Sequence, residues 1–257
     1  MCLILFAYKY HPKYHLILLA NRDEFYKRPS LPLDYWPDAP TILAGRDLKG
    51  NGTWLGITRT GRIAAVTNYR DPLNLHSEAP SRGLLIRNYL DANQSPHDYL
   101  KALSDKGDSY NGFNLLIGDQ TQLYYYSNYH PTLLKITPGI HGLSNHLLNT
   151  AWPKVTTGKK RLKRLLDQSC KITIEDYFKL LTDRTVPYDQ LLPNTGVGLT
   201  WEHILAPLFI SSPDYGTRCS SIILMEPSGT IQFYERTYAS DPNPTAETST
   251  KKFIIKP

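Results

Sequence analysis

Cys2 is the first residue of this chain whose type and position suggest chemistry, because it directly follows the initiator methionine. Removal of Met1, compatible with a residue this small, would leave a thiol and a free amine on one carbon. The reference pKa values are about 8.5 for the thiol and about 7.7–8.0 for the amine. Values this close let one group serve as base for the other, so such a nucleophile carries its own general base. The competing reading makes Cys2 a small hydrophobe in a buried strand.

The second feature is the run Asn21-Arg22-Asp23-Glu24, which directly follows LILLA. In a strand, Asn21 and Asp23 share one face and Arg22 and Glu24 the other. A carboxylate here would hold the Cys2 ammonium or orient its thiol, and Arg22 would instead lower the thiol pKa. The competing reading is a strand end that breaks into solvent with ordinary surface charges. A third set lies far away in sequence: Asn68 in RIAAVTN, Asn145 in HGLSNHLLNT and Arg218 in DYGTRCSS. Amide donors at strand ends suit an oxyanion hole, and an arginine suits a thiolate or carboxylate. Each taken singly also reads as a loop cap or a surface charge.

These residues need elements to position them. CLILFAY is a continuous apolar run, as expected of a strand buried on both faces. KYHPK reads as a turn and residues 15–21 as a second buried strand, so the two form an antiparallel pair. That pairing brings residues 21–24 beside Cys2. Residues 27–40 hold four prolines and read as an irregular surface segment. A strand over 53–58 pairs with GRIAAVTNY through the compact turn TRTGR. Two helices follow, SRGLLIRNYLDA with Ser81 as N-cap and SPHDYLKALSD with Pro96 in its first turn. GFNLLIGD, QLYYYSN and PTLLKIT read as strands, and HGLSNHLLNT as loop. Helices are expected at PKVTTGKKRLKRLLDQ and ITIEDYFKLLTD, and a hairpin at SSIILMEPSGTIQFYERTY. Residues 240–257 read as a loosely held tail. No repeat or linker divides the chain, so the expectation is one α+β domain over 1–257, with antiparallel sheets and helices packed outside.

Composition narrows the function classes. The chain has 257 residues, is 41% hydrophobic and 20% charged, and carries a formal net charge of +6. That balance favours anionic partners but is too mild to indicate nucleic acid. The basic stretch GKKRLKRLLD has leucines at 162, 165 and 166, which make it an amphipathic helix with a solvated basic face. Three cysteines without a CxxC pair resemble neither a disulfide framework nor a zinc site. His11, His15, His141 and His146 have no metal-ligand company. No run approaches the roughly 18 apolar residues of a membrane span. A cytoplasmic protein in a reducing compartment, without cofactor, metal or stable membrane insertion, is expected.

MCLILFAY, LILLANRDEFYKRP, the GTWLGIT and GRIAAVTNYR pair, GLSNHLLNTAWPKV and YGTRCSSIIL, in this order, resemble the NRDE family, also called the transport-and-Golgi-organisation family. The match runs from Met1 to about Tyr238. That family resembles in turn the cysteine N-terminal nucleophile (Ntn) hydrolases: penicillin V acylases, bile-salt hydrolases and acyl-CoA:aminopenicillanate acyltransferases. The resemblance implies a four-layer αββα sandwich. It implies Cys2 as nucleophile, Asp23 near its amine, Asn68 and Asn145 at the oxyanion, and Arg218 near the thiol. Asn21 and Arg22 are supporting positions. Asn21 and Asp23 match the acyltransferases' N-x-D, whereas Ala20 stands where bile-salt hydrolases carry arginine. Three function classes follow. The first is an N-terminal-cysteine amidohydrolase or acyltransferase acting on an acyl amide or thioester. The second is a non-catalytic carrier of an amphipathic anion such as acyl-CoA or haem. The third is an interaction protein without a small-molecule site.

Overall fold

The computed structural model describes residues 2–238 and 249–257, apart from the side chains of Cys2 and Thr132. The chain opens with β1 (Cys2–Tyr8) and β2 (Leu16–Phe25), antiparallel as expected, with Cys2 paired to Arg22 and Tyr8 to Leu16. Strand β2 runs on through Asn21-Arg22-Asp23-Glu24, because its other edge is paired along its whole length with β11 (Tyr215–Met225). The first sheet is completed by β10 (Gly139–Leu143) beyond β1, and by β12 (Ile231–Thr237) and β13 (Ser249–Ile255) beyond β11. Its six strands run in the order β10-β1-β2-β11-β12-β13.

The second sheet is a seven-stranded meander in chain order. It comprises β3 (Ser30–Trp36), β4 (Ala39–Asp47), β5 (Leu55–Thr58), β6 (Ile63–Asn68), β7 (Phe113–Gly118), β8 (Leu123–Ser127) and β9 (His130–Lys135). Alternation along the strands then dictates four layers. Ile4, Phe6 and Leu18 of the first sheet meet Leu43, Ile57 and Leu116 of the second in the central core. Leu3, Leu5 and Leu19 face the other way and pack on α3 (Pro153–Leu166) and α4 (Ile174–Leu181) through Val155, Leu162 and Phe178. The outer face of the second sheet, with Ile42, Ala64 and Leu115, packs on α1 (Gly83–Asp91) and α2 (Pro96–Ser104) through Leu85, Ile86 and Leu100. The result is an αββα sandwich of antiparallel sheets. Each such buried side chain contributes about 1.5–3 kcal/mol.

Four expectations need correction. Residues 27–40 are not irregular but supply β3 and the start of β4. Strand β3 lies at the sheet edge, and Pro32 falls in a register shift between Leu31 and Asp34, where no ladder hydrogen bond is required. The cap of α1 is Arg82 rather than Ser81, and no side chain caps it. Residues 141–143, the start of the stretch HGLSNHLLNT expected as loop, belong to β10 because they pair with the free edge of β1. In the expected tail, Ser249–Ile255 is a strand on β12, anchored by Phe253 against the core and by buried Ile255. Residues 240–248 of that expectation lie outside the described residues. Pro96 stands in the first turn of α2, as the sequence indicated, and Ser95 caps the helix by accepting from the backbone N–H of Asp98.

One close approach positions the mouth of the cleft described below. The Gly52 backbone runs against that of Gly83, so a Cβ at residue 52 would fall 2.3 Å from the Gly83 carbonyl carbon. Backbone, unlike a flexible side chain, has little room to yield. Gly52→Ala is expected to destabilise the protein by about 1–3 kcal/mol, read as a lower midpoint in urea denaturation. An unchanged midpoint would show that β5 and α1 separate freely.

Candidate active site

The register of β2 assembles the site. Arg22 has Cys2 as its partner on one side and Cys219 on the other. Asn21, Arg22 and Asp23 are all buried, not solvated strand-end charges. Asn21 faces the helical layer, where its amide donates to the carbonyls of Leu181 at 2.9 Å and Leu208 at 2.8 Å. Its Oδ1 accepts from Ser220 Oγ at 2.6 Å. Asn21 therefore ties α4 and the 208 segment to the sheet.

Asp23, 1% exposed, pairs across strands with Thr217, whose Oγ1 donates to Asp23 Oδ1 at 2.7 Å. The same hydroxyl accepts from the Ile210 amide at 2.9 Å, which leaves its proton for the carboxylate. Tyr215 donates its hydroxyl to the Asp23 carbonyl at 3.1 Å. Burial pushes the Asp23 carboxyl upward, opposed by the buried ammonium of Lys154, by Thr217 and by Arg22. Behind this group, Arg70 makes a 2.6 Å ion pair with Glu202 on α5 (Leu199–Leu205), and both side chains are buried. Thr195 also donates to Glu202, at 2.6 Å from its hydroxyl, so the segment preceding α5 is pinned over the Asp23 side of the sheet.

On the opposite face Arg22 stacks over Trp54, 4.1 Å from the ring centroid, and donates to Ser30 Oγ at 3.3 Å. Both Arg22 and Trp54 border a cleft of about 340 Å³. Asp23, Arg28, Lys49, Asn68 and Arg82 are also on its wall. Arg28 is engaged by Asp47 at 2.6 Å. Lys49 is exposed and holds no ion pair among the described residues. The wall is thus polar, with cations available to an anionic group.

The remaining sequence candidates take different places. Asn68 ends β6 at the cleft wall, and its carbonyl accepts from the Asn145 side-chain amide at 3.0 Å. Asn145 is fully buried, and its own carbonyl accepts from the Arg70 amide at 2.8 Å. The two asparagines are thus brought together, with Asn145 bracing Asn68 from behind. Arg218 is the extra residue of a bulge between Thr217 and Cys219. Its Nη1 donates to the carbonyls of Phe25, Tyr26 and Arg28 at 3.0, 3.1 and 3.0 Å, clamping the chain where it leaves β2. Arg218 lies outside the cleft wall, and Arg22 lies on it.

Sequence reasoning missed Thr217, Lys154, Trp54 and Glu235. The first three sit inside recognised motifs, but nothing in one dimension tells that they converge on residues 22 and 23. Glu235 lies on β12 between the sheets and is almost wholly buried. Its Oε1 accepts from the Leu33 amide at 2.6 Å, and its Oε2 from Cys219 Sγ at 3.5 Å and Ser221 Oγ at 3.4 Å. It therefore locks edge strand β3 onto the first sheet. Burial holds its carboxyl above the ordinary range, opposed by those hydrogen bonds and by Arg22.

A raised folded-state pKa means that the unfolded chain ionises first. Stability then falls as pH rises from the ordinary value to the folded one, and the penalty persists above it. Glu235→Gln keeps the shape and is expected to be more stable than wild type at neutral pH, with the gap closing in acid. Denaturation midpoints across pH check this; curves that stay parallel would contradict it.

Comparison with known proteins fits this picture. The family model for Transport and Golgi organisation 2 (TANGO2) matches residues 1–240. A human protein described as Transport and Golgi organization protein 2 homolog is 35% identical over 276 residues, covering 100% of both chains. Its mouse counterpart is 34% identical over 276 residues, again covering 100% of both. Among solved structures, a Caenorhabditis elegans N-acylethanolamine-hydrolyzing acid amidase ortholog superposes with a TM-score of 0.51 at 11% identity, covering 88% of this chain and 93% of that one. At that identity the likeness concerns the fold, which is the Ntn-hydrolase fold. By the family match and by full-length identity to the human and mouse proteins, this chain belongs to the Transport and Golgi organisation 2 family.

Proposed function

We propose that this protein is an N-terminal-cysteine amidohydrolase or acyltransferase working through an acyl-Cys2 intermediate. The observation that carries the reading is the Cys2 to Arg22 register, which sets the first residue of β1 against the buried Asn21-Arg22-Asp23 run beside a polar cleft. In this reading Met1 is removed. Cys2 Sγ attacks an acyl carbonyl, and the Cys2 amine takes the thiol proton. The new S–C bond forms as the C–N or C–S bond to the leaving group breaks, and the amine returns the proton to that group. Water or another acceptor then attacks the thioester and frees Sγ. Asp23, set by Thr217 and Lys154, holds the ammonium form of the amine. Asn68, braced by Asn145, offers its amide to the oxyanion. Arg22 and Lys49 favour a substrate with an anionic group. The sparse cysteines, three in 257 residues, fit a reducing, cytoplasmic setting.

A second reading rests on a specific observation. The Arg218 guanidinium and the Asn145 amide donate to protein carbonyls, which takes two groups expected of a catalytic site away from Cys2. That leaves a cleft lined by Arg22 and Lys49 to bind an amphipathic anion such as acyl-CoA or haem without turning it over.

The two readings differ in their need for a free amine. For the native protein, intact mass is expected to show Met1 missing, and a thiol-alkylating probe is expected to label Cys2 stoichiometrically. Cys2→Ala is expected to lose that label. Asp23→Asn is expected to lower acyl transfer roughly 10²-fold or more. A retained Met1 would eliminate the self-activated nucleophile and leave the binding reading.

A further inference from the structure

An amine that serves as base for a neighbouring thiol is also a nucleophile. In the reaction proposed above, the Cys2 amine gives its proton to the leaving group and then stands neutral while the acyl group is still on Sγ. Attack by that nitrogen on the thioester closes a five-membered ring. The N–C bond forms, the C–S bond breaks, and the proton passes from nitrogen to sulfur. The products are an amide on the Cys2 nitrogen and a free thiol, with no further reactant. Effective molarities for well-oriented intramolecular attack reach on the order of 10⁵ M or more, so this side reaction competes with turnover. The amide nitrogen is no longer a base, and a single migration ends catalysis. A working N-terminal cysteine therefore needs a restraint on its amine.

The place for such a restraint is Asp23. Leu3 pairs with Asn21 and Cys2 with Arg22, so the nitrogen end of Cys2 leads along β1 toward the level of Asp23, one residue further along β2. Alternation puts Arg22 on the cleft face, which the position of Cys2 shares, and Asp23 on the helical face. The Asp23 carboxylate is held there. Thr217 Oγ1 donates to its Oδ1 at 2.7 Å, and the Ile210 amide fixes that hydroxyl at 2.9 Å. Tyr215 donates to the Asp23 carbonyl at 3.1 Å, and β11 pairs with this end of β2. The candidate for the oxyanion is on the cleft side instead, where Asn68 is braced by Asn145 at 3.0 Å. An acyl carbonyl seated at Asn68 and an amine seated at Asp23 are drawn to opposite faces of the first sheet.

We propose that Asp23, set by Thr217, is the positioning residue that keeps the Cys2 amine from taking the acyl group off its own thiol. Without that carboxylate the protein becomes its own acceptor: the acyl group moves from Sγ to the Cys2 nitrogen and stays there as an amide. This inference rests on the acyl-Cys2 reading and adds to it a second duty for Asp23, distinct from holding the ammonium during proton transfer.

The test incubates the full-length protein with S-phenyl thioacetate at neutral pH and reads intact mass before and after hydroxylamine, which cleaves thioesters and spares amides. The wild-type acetyl adduct is expected to be lost on hydroxylamine treatment. The Asp23→Asn adduct is expected to resist it, with the acetyl group on the residue 2 nitrogen and the thiol again open to alkylation. Asp23→Asn combined with Cys2→Ala is expected to form no amide, because the acyl group arrives through the thiol. Should Asp23→Asn melt early, Thr217→Val removes the hydroxyl that sets the carboxylate and is expected to give a resistant fraction above that of wild type. Unfolding the wild-type adduct in neutral guanidinium is expected to make it resistant as well, since the amine is then released. A resistant adduct on folded wild type, labile adducts on both variants, or an adduct that stays labile after unfolding would overturn this inference and leave the acyl-Cys2 reading standing. A retained Met1, or no Cys2-dependent adduct on any protein, would overturn both.

Discussion

Strand β2 is hydrogen-bonded along both edges, to β1 on one side and β11 on the other, and the rest of the molecule is arranged around that double pairing. A strand in this position has no freedom to slip, because a one-residue shift would move every apolar side chain to the wrong layer. Leu16, Leu18 and Ala20 must face the second sheet while Ile17 and Leu19 face the helices. This apolar constraint, set at the start of the strand, dictates the polar geometry at its end. Asn21 and Asp23 go to the helical side, Arg22 goes to the cleft, and Cys2 takes the position opposite Arg22.

Burying charge at such a place is unfavourable unless each group is matched. The structure meets the condition locally. Asp23 has Thr217 and the charge of Lys154, Arg70 has Glu202 and the face of Trp152, and Glu235 has the Leu33 amide. Each match joins elements remote in sequence: Asp23 with Thr217, Arg70 with Glu202, Leu33 with Glu235. The polar groups around the cleft thereby serve as cross-ties between layers as well as candidates for chemistry. The bulge at Arg218 belongs to the same scheme. One extra residue turns a side chain out of the ladder, and its guanidinium gathers three carbonyls where the chain turns away from the sheet.

How much was legible depended on the range of the interaction responsible. The β1–β2 hairpin, the meander strands β5 to β9, α2 with Pro96 in its first turn and the final β11–β12 hairpin are local patterns, and they read correctly. The prolines of residues 27–40 suggested irregularity because their number was visible but their location on an edge strand was not. Strands β10 and β13 were missed for one reason. Each carries weak intrinsic preference and is made a strand by the free sheet edge it meets, β1 in one case and β12 in the other.

By itself the sequence determined the class of fold, through apolar runs and alternation, and the residues with chemical potential, Cys2 and the Asn21-Arg22-Asp23-Glu24 run, through type and spacing. It also carried the short-range inference that these two would lie side by side, since a tight hairpin has few alternatives. Only the tertiary structure decided what each candidate touches. It set Arg22 in the cleft wall and Arg218 behind it, gave Asn145 to Asn68, and brought Thr217, Lys154 and Glu235 to the site. Those placements depend on register between strands separated by more than a hundred residues, and register is a property of the packed sheets, not of any segment within them.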